Sequence, residues 1–176
     1  MSSYSNRMMR AARLDPQLYE EVEADAGAMG QAVGVVVLAS VAAGIGMGGL
    51  GIGEILFATV GALVGWFIWA GLTYVIGTRL LPEPQTEADV PQMLRTIGFA
   101  SAPGIIRILG VIPGLTWAIF AIASVWTLVA MIVAVRQALD YKSTGRAVAV
   151  CVIGLVVQIV VFAVLAAALG IPAASA

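Results

Sequence analysis

Five apolar stretches, each near the length of a bilayer crossing, follow one another with little between them. They run from Met29 to Met47, Ile55 to Gly77, Thr96 to Ile112, Leu115 to Val135 and Ala147 to Leu169. A helix needs about 20 apolar residues to cross the hydrocarbon core, with a working range of about 17–25. With 61% of its 176 residues hydrophobic and 11% charged, the chain lacks the polar surface of a water-soluble domain, which is about 25% charged. It also lacks the high net charge of a disordered segment. The expected fold is an all-α membrane protein: a bundle of five transmembrane helices with a short N-terminal cytoplasmic amphipathic helix. The chain divides accordingly into 1–28 as the cytoplasmic segment, 29–170 as the membrane domain, and 171–176 as a short extracytoplasmic tail.

Basic residues orient the bundle, because cytoplasmic flanks retain Lys and Arg. Arg7, Arg10 and Arg13 precede the first span, Arg79 and Arg95 lie between the second and third, and Arg136, Lys142 and Arg146 between the fourth and fifth. Eight of the nine basic residues thus fall on one side, and Arg107 lies inside the third span. Five crossings produce this sorting, with the N-terminus cytoplasmic and the C-terminus outside the inner (plasma) membrane. The first stretch does not read as a signal peptide, since 28 residues precede it and five of them are acidic.

Within the N-terminal segment, Leu14-Asp15-Pro16 reads as a helix start, with Asp15 as cap and Pro16 at the first helical position. Leu14, Leu18, Val22 and Ala26 then share one face, opposite Glu20, Glu21 and Glu23, which predicts a helix lying on the membrane surface. Arg7, Arg10 and Arg13 read as ordinary topology determinants. Leu81–Asp89 reads as a proline-rich acidic linker, and Asp89 with Gln92 as a capping box opening the next helix.

The third span is the shortest, about 25 Å at helical rise. Pro103-Gly104 and Pro113-Gly114 bracket it, and Pro103 is expected to kink or break the helix. Only Glu54 and Arg107 bring charge near the hydrocarbon. Glu54 opens the second span at the depth of Arg107, which predicts an ion pair or shared polar network there; the alternative is that Arg107 snorkels to the headgroups and Glu54 is simply wet. Gln158, near the middle of the last span, is the third candidate member. Small residues four apart (Gly30 and Gly34, Gly44 and Gly48, Gly61 and Gly65, Ala100 and Gly104) favour close packing within the bundle over homodimerisation. The run from Gly44 to Gly53 reads as a tight turn rather than a phosphate loop, having no Lys-Ser/Thr ending.

The chemistry excluded is extensive. There is no histidine and one cysteine, Cys151, so the usual zinc sites, His-based triads and disulfides are absent. No nucleophile–base pair, cofactor site or metal site is expected, and the net charge of −1 provides no nucleic-acid footprint. The segment Arg95-Thr-Ile-Gly98-Phe-Ala-Ser-Ala-Pro103-Gly104, then Val111-Ile-Pro113-Gly114, Trp126, and Val135-Arg-Gln-Ala-Leu-Asp-Tyr141 through Thr144-Gly-Arg-Ala147 resembles the YIP (Ypt/Rab-interacting protein) family of membrane domains. The Gly65-Trp66 and Ile76-Gly77 elements are similar to it as well, so the resemblance covers about Gly27 to Leu169. It implies five spans and a cytosolic N-terminus. Eukaryotic members bind prenylated Rab-type GTPases and carry a long cytosolic N-terminal region. The 28 residues here resemble the prokaryotic branch instead, and small-GTPase binding is not expected. The expectation is a non-enzymatic scaffold or accessory subunit whose partners are the bilayer and other membrane proteins or further copies of itself. The alternative is a small transporter or channel using the Pro103 break and Arg107.

Overall fold

The computed structural model describes residues 3–48 and 51–168, and apart from its turns and linkers all of that is helix. Two short helices, α1 (Tyr4–Ala12) and α2 (Pro16–Ala24), precede α3 (Met29–Gly46), α4 (Ile52–Val75), α5 (Val90–Ala100), α6 (Thr116–Ala138) and α7 (Thr144–Ala168). A π turn, Ile76–Leu80, extends α4, and a 3₁₀ helix, Ala102–Val111, extends α5. Among the described residues, five helical stretches are long and apolar enough to cross a membrane. The expected tail 171–176 lies outside the described residues, as do positions 49 and 50 of the glycine-rich connection.

The third span begins earlier than the sequence suggests, at Val90, where Gln92 N–H donates to Asp89 Oδ1 at 2.6 Å and Gln92 Oε1 accepts from Asp89 N–H at 2.6 Å. Eleven α-helical and ten 3₁₀ residues reach about 36 Å at rises of about 1.5 and 2.0 Å, so the short span has the length to cross. A 3₁₀ run of this length is uncommon, because its hydrogen bonds are poorly aligned. Its virtue here is periodicity. Residues three apart eclipse one another, so Gly104, Arg107 and Gly110 form one straight face.

That face runs parallel to α3. A Cβ on Gly98 would lie 2.7 Å from Ala32 Cβ, one on Gly104 3.4 Å from Ala39 Cβ, and one on Gly110 2.6 Å from the Gly46 carbonyl. Six-residue steps on one side therefore meet seven-residue steps on the other. From Gly104 to Gly110 the step is two 3₁₀ turns, close in rotation to the two α turns from Ala39 to Gly46, so the two faces stay in register along the 3₁₀ part of the crossing. Pro103 sits at the second position of the 3₁₀ helix, where its missing N–H leaves no intrahelical bond unmade. At the far end Pro113 and Gly114, with Gly114 at φ +82°, form the turn into α6, and Leu115 N–H donates to the Ile112 carbonyl at 3.1 Å.

The N-terminal segment holds two helices, α1 and α2, where the sequence predicts one. It is a helical hairpin packed against α5, α6 and the 3₁₀ helix, hinged at Leu14 with φ 62°. Asp15 caps α2 as expected, accepting from Gln17 N–H at 3.1 Å. Leu18, Tyr19 and Val22 are fully buried. This hairpin covers the third span, whose residues Met93–Ala100 are all buried.

Candidate functional site

Two polar constructions stand at opposite ends of the bundle. The first is built by the hairpin and the loops before α5 and α7. Arg7, 5% exposed, donates from Nε to Glu21 Oε1 at 3.0 Å and from Nη1 to Gln31 Oε1 at 3.0 Å, and its Nη2 lies 2.9 Å from both Glu21 and Asp25. Arg10 joins Asp15 at 2.7 Å and Glu21 at 2.6 Å. The paired carboxylates hold both guanidinium pKa values above the usual arginine range, against the opposing effect of burial. Arg7 and Arg10 are thus structural clamps as well as topology signals. The spacing that could have announced them is Glu21 and Asp25, one helical turn apart, facing Arg7 and Arg10 on the preceding helix.

Further bonds tie this end together. Arg95, 7% exposed, donates to the Val22 carbonyl at 3.0 Å and to the Glu23 carbonyl. Trp126 Nε1 donates to Ala12 O at 2.8 Å, and Gln137 Nε2 to Glu20 Oε1 at 2.7 Å. Tyr141 Oη donates to the carbonyls of Gly77 and Leu81 at 3.0 and 2.7 Å, closing the π turn that ends the second span. Glu83 accepts from Lys142 N–H at 3.0 Å and pairs with Arg146 at 3.5 Å. The Lys142 amide, chiefly, holds the Glu83 carboxyl below the usual range. Glu23 is the exception in sign: burial, then the nearby Asp140 carboxylate, pushes its pKa up to about 7 against the pull of Arg95.

The second construction is a cavity of about 590 Å³ between the spanning helices. Val36, Trp66, Trp69 and Met131 form its deep part, and Arg107 and Gln158 line it nearer the opposite end. Arg107 Nη2 donates to Ser124 Oγ at 3.3 Å, and its guanidinium stands 5.9 Å from the centre of the Phe120 ring. Gly104 makes room for it: a Cβ there would lie 2.8 Å from Arg107 Nη1. Glu54 instead turns to its own helix terminus, accepting from Gly51 N–H at 2.8 Å. Among the described residues no ion pair joins Glu54 to Arg107. Arg107 and Gln158 share the cavity, and Glu54 is not among its lining residues.

The small-residue pairs divide similarly. Gly34 packs on Tyr4 and Gly44 on Ile55, whereas Gly30, Gly48 and Gly61 have nothing within 4 Å of the position a Cβ would take.

The Yip1 domain matches residues 17–165 of this sequence. The chain belongs to the Yip1 domain family. Nothing among curated proteins, and nothing among solved structures, matches it significantly. Within this Yip1 domain, the residues that carry the sequence resemblance are the ones that hold the charged end and the α3 crossing: Arg95 on the α2 carbonyls, Gly98 against Ala32, and Tyr141 on the Gly77 carbonyl.

Proposed function

We propose that this Yip1-domain protein is a non-enzymatic scaffold or accessory subunit of an assembly in the plasma membrane, with its N-terminus in the cytoplasm. The observation that carries the reading is the outward face of α4. Phe57 is 84% exposed and Val64 51% exposed, and between them Gly61 has open space where a Cβ would be. An aromatic beside a glycine on a lipid-level helix face is suited to close approach by another helix, where packing rather than the hydrophobic effect drives association. The clustering of the basic residues of the hairpin and the two loops at one end supports a cytoplasmic N-terminus through the positive-inside rule. Arg7, Arg10, Arg95 and Arg146 at that end are held in internal contacts, which fits a rigid scaffold better than a reaction site. A transport reading based on the Pro103 break is not favoured, because Pro103 and Gly104 are buried, Gly104 against Ala39 of α3.

Purification in mild detergent with identification of co-purifying proteins tests this. A partner held by the natural chain and lost from Gly61→Leu supports the reading. A lone monomer in both samples overturns it.

A further inference from the structure

We propose that the cavity between the spans holds one chain of an anionic phospholipid, with the phosphate on Arg107. Three observations carry the proposal. First, the volume of about 590 Å³ falls within the range of pockets that enclose a small organic ligand, about 300–1,000 Å³. Second, its walls are apolar through most of their depth, formed by Val36, Trp66, Trp69 and Met131, while Met47 and Leu155 line it and stay exposed, so that it communicates with the lipid around the bundle. Third, the cation at its upper end is uncompensated. Among the described residues no carboxylate pairs with Arg107, whose one hydrogen bond goes to the Ser124 hydroxyl at 3.3 Å.

Arg107 stands four residues from the end of the 3₁₀ helix, about 8 Å inside it at a rise of about 2.0 Å. That is headgroup-to-glycerol depth for a lipid entering from the bundle's edge. A guanidinium presents a planar fork of donors that matches a phosphate in bidentate fashion. Ser124 Oγ, accepting from Nη2, keeps its own proton to donate to a phosphate oxygen. The acyl chain then runs down past Leu128 and Leu155 toward the tryptophans. The charge dictates the class: a zwitterionic lipid would set its own cation beside Arg107, and an anionic headgroup does not.

Native mass spectrometry of the full chain in mild detergent, with phosphatidylglycerol or phosphatidylcholine added, tests the proposal. One phosphatidylglycerol retained per chain, favoured about ten-fold or more over phosphatidylcholine, is the expected result. Arg107→Gln should bring the two lipids near parity, Arg107→Lys should keep most of the preference, and Ala58→Trp, which fills the cavity beside α4, should lose both lipids. An unchanged preference in Arg107→Gln, or undiminished binding in Ala58→Trp, would overturn the proposal. Millimolar inorganic phosphate separates the sources: displacement of the lipid by phosphate alone would make this a free-anion site and refute the lipid assignment. Should Arg107→Gln fail to fold, the Ala58→Trp and Arg107→Lys arms still decide.

Discussion

Replacing Arg7 with leucine isolates what the N-terminal hairpin contributes. The arginine side chain is 6% exposed and reaches Glu21, Asp25 and Gln31, joining α1 to α2 and α3. Removing one partner of a buried ion pair costs about 3–5 kcal/mol, because the other charges are left desolvated. Here both carboxylates are 34% exposed and Glu21 keeps Arg10, so water and the second arginine recover part of the loss. An expected cost of about 2–3 kcal/mol results. It should fall on hairpin docking rather than on the spans, whose hydrogen bonds are internal. Hydrogen–deuterium exchange in detergent reads this directly: amides of α1 and α2 should exchange about 30- to 150-fold faster, since about 1.4 kcal/mol is a factor of ten. The cores of α3, α6 and α7 should be unchanged. Unaltered exchange in the hairpin would refute the clamp, and equal acceleration everywhere would refute its local character.

Other outcomes rest on the same geometry. Gly46→Leu drives a side chain into the Arg107 carbonyl and should lower stability by about 1–3 kcal/mol, measured as a drop in thermal midpoint, whereas Gly61→Leu, with open space around it, should leave the monomer's midpoint unchanged. Glu23 has a folded pKa of about 7, above its ordinary 4.5, so the folded state binds the proton more tightly. Its contribution to stability is greatest below about pH 4.5, declines from there to pH 7, and is level above. Glu23→Gln should therefore stabilise the protein at pH 8 by about 1–2 kcal/mol, discounted for partial exposure, with the gain vanishing by pH 4.5 in parallel melts. Tyr141→Phe leaves the Gly77 and Leu81 carbonyls without their shared donor and should cost about 1–2 kcal/mol, seen as faster exchange confined to the π turn and the loop after it.

The spans were legible because hydrocarbon thickness imposes a length that apolar composition alone reveals. So was the Asp89–Gln92 cap, a local signature whose chemistry lies within four residues. Pro103 marked the place where α5 gives way to another helix type. The α-helix ends at Ala100 and the chain continues as a 3₁₀ helix, whose three-residue period keeps Gly104, Arg107 and Gly110 on one face. The N-terminal hairpin was harder. Its apolar face has the same periodicity whether it meets headgroups or protein, and the Arg95 bond to Val22 spans 73 positions, a pairing no local pattern encodes. Glu54 and Arg107 share a depth in the sequence, yet each took a nearer partner: a free helix terminus for one, a hydroxyl and a ring face for the other.

The polypeptide is expected to cross the bilayer with its charged loops at one end and its short turns at the other. In a Cys151→Ala background, a thiol introduced by Glu87→Cys and another by Gly53→Cys should report it through a membrane-impermeant maleimide applied to intact cells. Labelling at position 53 alone, with position 87 reacting after lysis, is the predicted result. Labelling of both from outside, or of 87 alone, would contradict it.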